Sequence, residues 1–474
     1  MPARSKKPDE AGPRDSETFG KPVGIEGGFG MPDNRGGHAV VLGASMAGLL
    51  TARVLSESYE RITVVERDEL PAGPEHRRGV PQSRHLHVLL ARGTSILEDL
   101  FPGFVSEAVI AGASTADALA RVRLMVSGYR LLQRDVGLRT VLAGRPLVEG
   151  VVRTRVRALT GVGFLDRHDV VGLTATADGR RVTGVRVHAG GGAEQSIEAD
   201  LVVDATGRGS RSPLWLEQLG HGRPEVEKVQ VGLAYSTRTY RLPDGAMGKD
   251  QLMLNNATPG HQRAAVLAEQ EDGLTRLTVA GMLGDKPPLD PKGFDAFTAS
   301  LRFPDIFEAV RDGEALHDPI GFQVPANIRH RYERMRSFPD GFLILGDAVC
   351  SFNPVYGQGM TSAAMQAEAM RAVLAGDRAL TWQRFFRAAA RAIDPAWQIS
   401  AGGDLAFSGV IGRRTPLIRM VNAYLPRVHA AASRDEEMSE RFIRVAALVD
   451  RPEVLVRPGT VLRVLGRRGI EPEA

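Results

Sequence analysis

Hydrophobic and polar positions near the start of the chain alternate between strand-type and helix-type patterns. His38 to Leu42 (HAVVL) is a short apolar run of strand type, Gly43 to Gly48 (GASMAG) is a glycine-rich turn, and LLTARVLSES then follows helical spacing. A second apolar run, ITVVER, contains the acid Glu66 at its end. The order strand, glycine turn, helix, strand, acid predicts the opening unit of a dinucleotide-binding α/β fold.

The pattern changes after Glu66, and the change indicates which dinucleotide is bound. Short strand-type runs separated by glycine turns occupy VGFLDRHDVVGLTATADGRRVTGVRVHAGGGAEQSIEADLVVDATG. We interpret them as a three-stranded antiparallel insert followed by a return to the first sheet. An NAD enzyme would continue with alternating strands and helices, so the insert favours an FAD-type elaboration of the fold.

Three later regions complete the predicted architecture. Residues 229–282 carry strand-type runs, which predict a further sheet, and GFDAFTASLRFPDIFEAVRD is of helical type. GFLIL predicts a strand that leads through GDAVCSFNPVYGQGM into the helix TSAAMQAEAMRAVLAG. The remaining segment predicts helices interrupted by Pro and Gly, packed on the core.

Composition narrows the classes of function. The chain has 474 residues, which predicts two or three structural units, and 60 basic against 56 acidic residues without a basic tract, so nucleic acid is not an expected partner. Cys350 is the single cysteine, which excludes an internal disulfide, and we interpret it as a small buried hydrophobe and not a catalytic thiol. Residues 1–37 predict a disordered leader without a signal peptide, and the most apolar stretch is too short to span a bilayer. We expect a cytoplasmic protein.

The first glycine motif has the chemistry of a pyrophosphate site. Gly43 suits the tight turn, Gly48 allows close packing of helix on strand, and Ser45 replaces the usual middle glycine. The N-terminus of the helix favours a negatively charged group, and Glu66 is placed to accept from a ribose hydroxyl. The predicted contacts in this turn are Gly43, Ser45, Met46, Ala47 and Gly48.

Three motifs, GASMAG with VVER, DATGRGS, and GDAVCSFNPVYGQGM, occur in an order that resembles the FAD-dependent monooxygenases, which include p-hydroxybenzoate hydroxylase and squalene epoxidase. Within that family the chain is most similar to the bacterial flavoenzymes that epoxidise polyketide chains before polyether formation. The segments RRGVPQSRHLH and RPLVEGVVRTRV carry this second likeness.

The resemblance implies an α/β fold with a Rossmann-like FAD-binding domain of glutathione-reductase type, a β-sheet-based substrate domain and a C-terminal helical region. The implied FAD-binding domain comprises residues 38–115, 145–210 and 339–375, the substrate domain 116–144 and 211–338, and the helical region 376–474.

The resemblance also implies roles for single residues. Asp347 would accept from the ribityl O3′ hydroxyl of FAD, Pro354 would shape the turn, and Gly357, Gly359 and Met360 would place backbone against the flavin. Arg67, Arg77, Arg145, Val170 and Gly207 are further implied cofactor contacts. For Arg77 and Arg145 a solvated surface position stays open. In RHLH, at most one of His85 and His87 would face the flavin if the segment is extended, and packed or solvated histidines are the more ordinary interpretation. Tyr235, Arg238 and Tyr240 are candidate substrate-pocket residues.

The implied activity is a monooxygenase reaction with non-covalent FAD and O2. One oxygen atom would be transferred through a flavin C4a-hydroperoxide to an alkene of an apolar, polyketide-like substrate. The sequence has no second glycine motif for NAD(P)H, so we expect this reductant to visit transiently or to act through a separate flavin reductase. We do not expect contact with a membrane.

Other activities stay open at this point. A phenol hydroxylase would need a group to bind or ionise a phenol, for which His261 or Tyr240 could serve. A flavin-dependent reductase of prenyl chains shares the Gly-Asp motif. A halogenase is disfavoured because Trp215, Trp382 and Trp397 are isolated. A non-enzymatic flavin-binding module would not need a sheet over the cofactor.

Overall fold

The computed structural model describes residues 36–190 and 192–466. Its strands are β1 (Gly36–Leu42), β2 (Tyr59–Val65), β3 (Val88–Leu89), β4 (Ser114–Asp117), β5 (Val122–Val126), β6 (Tyr129–Arg130), β7 (Arg139–Leu142), β8 (Val162–Leu165), β9 (His168–Ala175), β10 (Val182–Ala189), β11 (Gln195–Glu198), β12 (Leu201–Asp204), β13 (Val226–Arg241), β14 (Leu252–Asn255), β15 (Arg263–Glu269), β16 (Thr275–Gly281), β17 (Glu314–Ala315), β18 (Ile320–His330), β19 (Phe342–Ile344) and β20 (Cys350–Ser351). Its helices are α1 (Met46–Leu55), α2 (Ala91–Leu100), α3 (Phe104–Ile110), α4 (Arg145–Arg157), α5 (Ser212–Gln218), α6 (Pro291–Ala299), α7 (Asp305–Val310), α8 (Gly359–Leu374), α9 (Trp382–Asp404), α10 (Pro416–Ala432), α11 (Glu436–Ala446) and α12 (Pro458–Leu465).

A five-stranded parallel sheet in the order β19-β12-β1-β2-β8 forms the first layer. Residues 39–42 of β1 are fully buried, as expected for a parallel strand covered on both faces. Leu42 pairs with Val65 of β2 and with Asp204 of β12, so these strands end at the same edge. The predicted Rossmann-like α/β fold is confirmed.

Close packing at the glycine turn explains why its two outer glycines are needed. Gly43 has a φ of +95°, in the left-handed region that a side chain disfavours. A Cβ on Gly48 would lie 1.8 Å from the carbonyl oxygen of Gly43, so a side chain there would push α1 away from β1. Gly48 therefore sets how closely α1 packs on the sheet, as its place in the motif predicts.

The antiparallel insert is also present. Strands β9, β10 and β11 form a three-stranded sheet in the order β11-β10-β9, and β12 then returns to the parallel sheet beside β1. Sequence analysis predicted this arrangement from the turns and the DLVVDATG segment.

A nine-stranded sheet forms the second layer, in the order β20-β18-β13-β16-β15-β14-β5-β6, with β17 paired to β13. β5 comes from residues far earlier in the chain than its neighbour β14, with which it pairs in parallel. One face of this sheet packs on α6 and α7, through Phe294, Phe297 and Ile306 among others. The opposite face is turned to the C-terminal helices and to a large cavity.

The helices that follow α8 pack on the two sheets. Phe385, Phe386 and Ile393 of α9 are part of the main core, and Val428 of α10 packs with strands β5 and β14. Among the described residues no helix has the length and apolar character needed to cross a membrane.

The start of the chain needs one correction. β1 begins at Gly36 and not at His38, because the Gly36 N–H donates to the Ser58 carbonyl at 3.1 Å and ties the strand to the start of β2. Residues 1–35 of the predicted leader lie outside the described residues. The division into an FAD-binding and a substrate domain stays a prediction.

Candidate active site

A cavity of about 1540 Å³ lies where the carboxyl edge of the parallel sheet, the large sheet and the C-terminal helices meet. Single small-molecule sites usually occupy roughly 300–1,000 Å³, so this cavity has room for a cofactor together with a second ligand. The predicted residues that line it are Gly43, Ser45, Met46, Ala47, Glu66, Arg67, Arg77, Arg145, Val170, Gly207, Tyr235, Asp347, Pro354, Gly357, Gly359 and Met360.

Three predicted residues do not line the cavity. Gly48 lies beneath it, at the contact between α1 and β1. Arg238 and Tyr240 are on the other face of β13 from Tyr235: the Tyr240 ring is buried with α6 and α7, and Arg238 lies 3.5 Å from Asp295. Their prediction as pocket residues is therefore wrong. Successive side chains of a strand alternate between faces, and the prediction assigned Tyr235 and these two residues to one face despite their odd separation.

A buried carboxylate, Glu149 of α4, organises the N-terminus of α1. Its Oε2 accepts from Ser45 Oγ at 2.8 Å and lies 3.2 Å from Arg145 Nε, while its Oε1 accepts from Arg77 Nη2 at 2.5 Å. Arg145 Nη2 also donates to Ser45 Oγ at 2.7 Å. Burial alone would raise the pKa of Glu149, but Arg145 and Arg77 outweigh it and hold the pKa below its ordinary value. Ionised Glu149 thus fixes both arginines beside the glycine turn.

Arg77 is a buried residue and not the solvated one that the sequence left open. Its side chain is 3% exposed and lies between Glu149 and Glu66, with Nη1 3.1 Å from Glu66 Oε2. Burial opposes its charge, yet Glu149 and Glu66 raise its pKa above the ordinary value. Arg145, at the start of α4, is 13% exposed and stays closer to the cavity. Sequence analysis missed Glu149 because RPLVEGVV shows only a helix, not the partners its glutamate meets.

Glu66 lies at the predicted place, directly after β2. Its Oε2 accepts from the Ala44 N–H at 2.8 Å and its Oε1 from the Asp68 N–H at 3.1 Å. With the Arg77 contact these use three of about four acceptor positions of a carboxylate, which leaves one for a hydroxyl group in the cavity. The predicted contact with ribose stays a prediction.

The DATG segment is held by a buried aspartate at the end of β12. Asp204 accepts from the Thr206 N–H at 2.8 Å, from Thr206 Oγ1 at 2.6 Å and from Ser210 Oγ at 2.6 Å, and it also accepts from Ser212. These bonds close the loop so that Gly207, with a φ of +77°, presents bare backbone to the cavity.

Asp347 follows the sharp turn at Gly346, whose φ is +73°. The Gly346 N–H donates to the buried Gln366 of α8 at 2.9 Å, which fixes the turn against the helix. The Asp347 carboxylate is 35% exposed, with Arg208 Nε 3.6 Å away. The carboxylate is therefore accessible from the cavity, and its predicted contact with the ribityl chain stays a prediction.

The turn before α8 is locked by a second buried aspartate that the sequence did not reveal. Asp404, at the end of α9, accepts from Asn327 Nδ2 at 2.8 Å, from Asn353 Nδ2 at 3.1 Å and from Tyr356 OH at 3.0 Å. Asn353 in turn accepts from the Val355 N–H at 3.1 Å. The turn from Asn353 to Gly357, which contains Pro354, is thus fixed by Asp404 and by the hydrogen bond between Asn353 and Val355.

His85 and His87 both line the cavity, and whether one of them faces the flavin stays a prediction. The segment before them is a helical turn (Pro81–Arg84) and not a strand, so strand alternation does not apply. His85 Nδ1 lies 2.8 Å from Thr237 Oγ1, and its ring meets Tyr235 edge-on at 4.7 Å between centroids. Burial and the nearby Arg276 lower the pKa of His85 to about 4, so the imidazole is neutral at neutral pH.

The cavity has an apolar arm that extends over the face of the large sheet. Tyr235 on β13 pairs with Ala280 on β16, and Ala280 with Ala264 on β15. Val266 on β15 pairs with Leu254 on β14, and Leu254 with Leu124 on β5. Further residues that line this arm are Val122, Val126, Leu252, Phe322, Ile418, Tyr424, Leu425, Phe442 and Ile443. We call this part of the cavity the apolar arm.

The polar end of the cavity fits FAD. The first turns of α1 and α8 contain no acidic residue, so both helix N-termini can face a negatively charged group. Gly207, Gly357 and Gly359 present bare backbone, and no atom lies within 4 Å of a Cβ placed on Gly359. Arginines lie at the α1 end and Asp347 at the α8 end, which suits a pyrophosphate and a ribityl chain respectively.

Comparison with known proteins supports this assignment. Residues 38–377 match the family described as FAD binding domain. Protein Rv3254 of Mycobacterium tuberculosis is 34% identical over 438 residues, which cover 89% of this chain and 91% of that protein. Kynurenine 3-monooxygenase of Salinispora tropica is 27% identical, covering 69% of this chain and 70% of the enzyme.

Solved structures show the same fold. The flavin-dependent brominase Bmp2 has a TM-score of 0.62 at 18% identity, covering 86% of this chain and 93% of the brominase. The p-nitrophenol 4-monooxygenase PnpA of Pseudomonas putida DLL-E4 has a TM-score of 0.58 at 16% identity, covering 92% of this chain and 99% of PnpA. At these identities the likeness concerns the fold alone. The family match over most of the chain decides the assignment: the chain belongs to the FAD binding domain family, to which the flavin-dependent monooxygenases belong.

Proposed function

We propose that this protein is an FAD-dependent monooxygenase that epoxidises an alkene in a long apolar substrate of polyketide type. The observation that carries the proposal is the apolar arm, which joins the polar end of the cavity without a break. On β5, β14, β15 and β16 the described residues that line it are uncharged. Such a surface selects a substrate by shape and apolar contact and not by charge.

The residues at the polar end would hold the cofactor. The α1 N-terminus with Arg145 would bind the pyrophosphate, Glu66 the ribose, and Asp347 the ribityl chain, while the α8 N-terminus would favour negative charge on the ring. Reduced FAD, when bound, supplies the activation of O2 from which one oxygen atom is transferred. NAD(P)H is the proposed source of the electrons, directly or through a separate flavin reductase.

The protein's own part in the reaction is positioning and exclusion of water. Tyr235, Phe322 and His85 form an aromatic cluster at the end of the arm near Arg208, which itself lies 3.6 Å from Asp347. Ala280 and Ala264 lie beside Tyr235, and their small side chains leave space above the sheet. A substrate chain can therefore lie across the sheet at this place. An alkene needs no ionisation before it accepts an oxygen atom, so these residues need not transfer a proton.

A second candidate is hydroxylation of an aromatic ring, and His85 favours it. Its Nδ1 is engaged by Thr237, its Nε2 has no hydrogen-bond partner among the described residues, and the side chain lines the cavity. A neutral imidazole in this place would accept a hydrogen bond from a phenol hydroxyl and so orient the ring. This acceptor supports the second candidate. His261, which was considered earlier, instead lies 2.9 Å from the Ser300 carbonyl, outside the cavity.

Product analysis under isotopically labelled O2 tests the proposal. The FAD-loaded protein is reduced chemically, so that the natural electron donor need not be known, and is mixed with labelled O2 and either a long-chain alkene or a phenol. We expect the alkene product to gain one labelled oxygen atom per attacked double bond. A labelled catechol from the phenol, abolished in His85→Phe, would instead establish the hydroxylase. An anaerobic product that has gained two hydrogens would establish a reductase of double bonds.

A further inference from the structure

A polar pair interrupts the apolar arm at its far end. His429 of α10 and Ser127, in the turn between β5 and β6, both line the cavity, with His429 Nδ1 2.8 Å from Ser127 Oγ. The side chains around them are Val126, Leu425 and Phe442, and the Phe442 ring meets the imidazole edge-on at 4.7 Å. Nothing in the epoxidation chemistry requires a polar pair in this place.

The pair lies far from the aromatic cluster by two independent measures. Four steps between neighbouring strands separate β13, which carries Tyr235, from β5, and at about 4.8 Å per step they span roughly 19 Å. Along α10, Ile418 packs against the hydrophobic cluster that contains Tyr235, whereas His429 is eleven residues further on, or about 16 Å at 1.5 Å per residue. A group bound at His429 is therefore remote from the reacting carbon.

One atom of the pair is available to a ligand. His429 Nδ1 lies 2.8 Å from Ser127 Oγ, Nε2 has no hydrogen-bond partner among the described residues, and the side chain lines the cavity. Burial lowers the pKa of His429 to about 4, so the ring is neutral at neutral pH. In the tautomer whose Nδ1–H donates to Ser127 Oγ, Nε2 accepts one hydrogen bond, which a hydroxyl group can donate and an ether cannot.

We propose that His429 and Ser127 form a subsite for a hydroxyl group at the end of the substrate remote from the alkene. This inference rests on the proposed function, because it assigns an orientation to the same long apolar substrate. An uncharged hydroxyl suits the pair better than a carboxylate, because the cavity-lining side chains beside it, Val126, Leu425 and Phe442, are uncharged. The substrate is then a long chain with an alkene near the flavin and an uncharged hydroxyl near β5.

Two substitutions remove the subsite by different routes. His429→Phe keeps a ring against Phe442 but removes Nε2. Ser127→Gly removes the hydroxyl without backbone strain, because Ser127 has a φ of +50°, in the left-handed region that glycine adopts readily. Ser433→Ala is the matched control, since it also removes a polar atom from the end of α10, but one that donates to the Ala430 carbonyl outside the cavity.

Binding of dec-9-en-1-ol, its methyl ether and dec-9-enoate to the oxidised holoenzyme tests the subsite without turnover, by perturbation of the flavin absorption spectrum. We expect the alcohol to bind roughly five- to tenfold tighter than the ether, the effect of one net hydrogen bond, and the carboxylate to bind more weakly than both. His429→Phe should reduce the alcohol preference to about twofold or less, Ser127→Gly should weaken it, and Ser433→Ala should keep it.

Equal preference in wild type and His429→Phe, with FAD content unchanged, would overturn the proposal. If His429→Phe does not retain FAD, an unchanged preference in Ser127→Gly overturns it in the same way. The subsite and the proposed function can fail separately. If the protein discriminates between the probes but does not oxygenate the alkene, the subsite is supported and the epoxidase is refuted. If it oxygenates the alkene but does not discriminate between the probes, the epoxidase is supported and the subsite is refuted.

Discussion

The buried carboxylate of Asp404 gives a stability prediction whose sign and size follow from the structure. Asp404 is 1% exposed and accepts hydrogen bonds from Asn327, Asn353 and Tyr356, but no cation is among its hydrogen-bond partners. Burial therefore raises its pKa from 3.8 to about 6, despite these three donors. A difference of about two pKa units between the folded and unfolded states corresponds to about 3 kcal/mol in the free energy of unfolding.

The sign follows from the raised pKa of the folded state. Between about pH 4 and 6 the folded protein binds the proton more tightly than the unfolded chain. The contribution of Asp404 to stability is thus fully present below about pH 4 and is lost as the pH rises through about 6. Asp404→Asn does not titrate, so the free energy of unfolding of the wild type minus that of the variant should fall by about 2–3 kcal/mol over this range.

Urea unfolding of both proteins across this pH range, at a fixed saturating concentration of FAD, measures the difference, since bound FAD would otherwise change the apparent stability. Asp244→Asn, at an exposed position, controls for the loss of one negative charge. A wild-type minus Asp404→Asn difference that stays constant within about 0.5 kcal/mol, or that grows with pH, would refute the reasoning from burial.

Three further predictions concern the cavity. Glu66→Ala and Asp347→Ala should each weaken FAD binding roughly ten- to hundredfold, because each removes a charged acceptor of a hydroxyl group; unchanged affinity in flavin titrations would remove both residues from the site. Arg238→Ala should leave FAD affinity and substrate KM within about twofold of wild type, since Arg238 is on the far face of β13, and a large rise in KM would contradict this placement. Ala264→Phe should fill part of the apolar arm and weaken binding of dec-9-en-1-ol at least about tenfold, while the FAD content is kept. An affinity equal to that of the wild type would show that the alkenol binds elsewhere.

The cofactor end of the site could be predicted from sequence because its contacts are local. Gly43, Gly48 and Glu66 belong to one strand-turn-helix-strand unit, and the backbone geometry of that unit determines their places. Asp347 likewise lies three residues after the end of β19, at the turn that Gly346 makes. Each of these residues is positioned by neighbours within a short stretch of chain, so the pattern of residues contains the needed information.

The rest of the site depends on contacts between distant segments. Glu149 meets Arg77 and Ser45 only when α4 packs beside α1, and Ser127 meets His429 across 302 positions of sequence. No local pattern indicates such pairs. Arg238 differs from these pairs, because its odd separation from Tyr235 on one strand already indicates that the two side chains lie on opposite faces.

The efficiency of oxygen transfer as a function of chain length tests the central claim most directly. The holoenzyme is reduced chemically, mixed with O2 and an alkenol from the series hex-5-en-1-ol to dodec-11-en-1-ol, and the epoxide formed per O2 consumed is measured, with hydrogen peroxide as the uncoupled product. If the apolar arm holds the substrate during oxygenation, this ratio should rise as the chain grows to fill the arm and fall for short chains, which leave water in it. A ratio that does not depend on chain length, or the absence of epoxide throughout the series, would contradict the account.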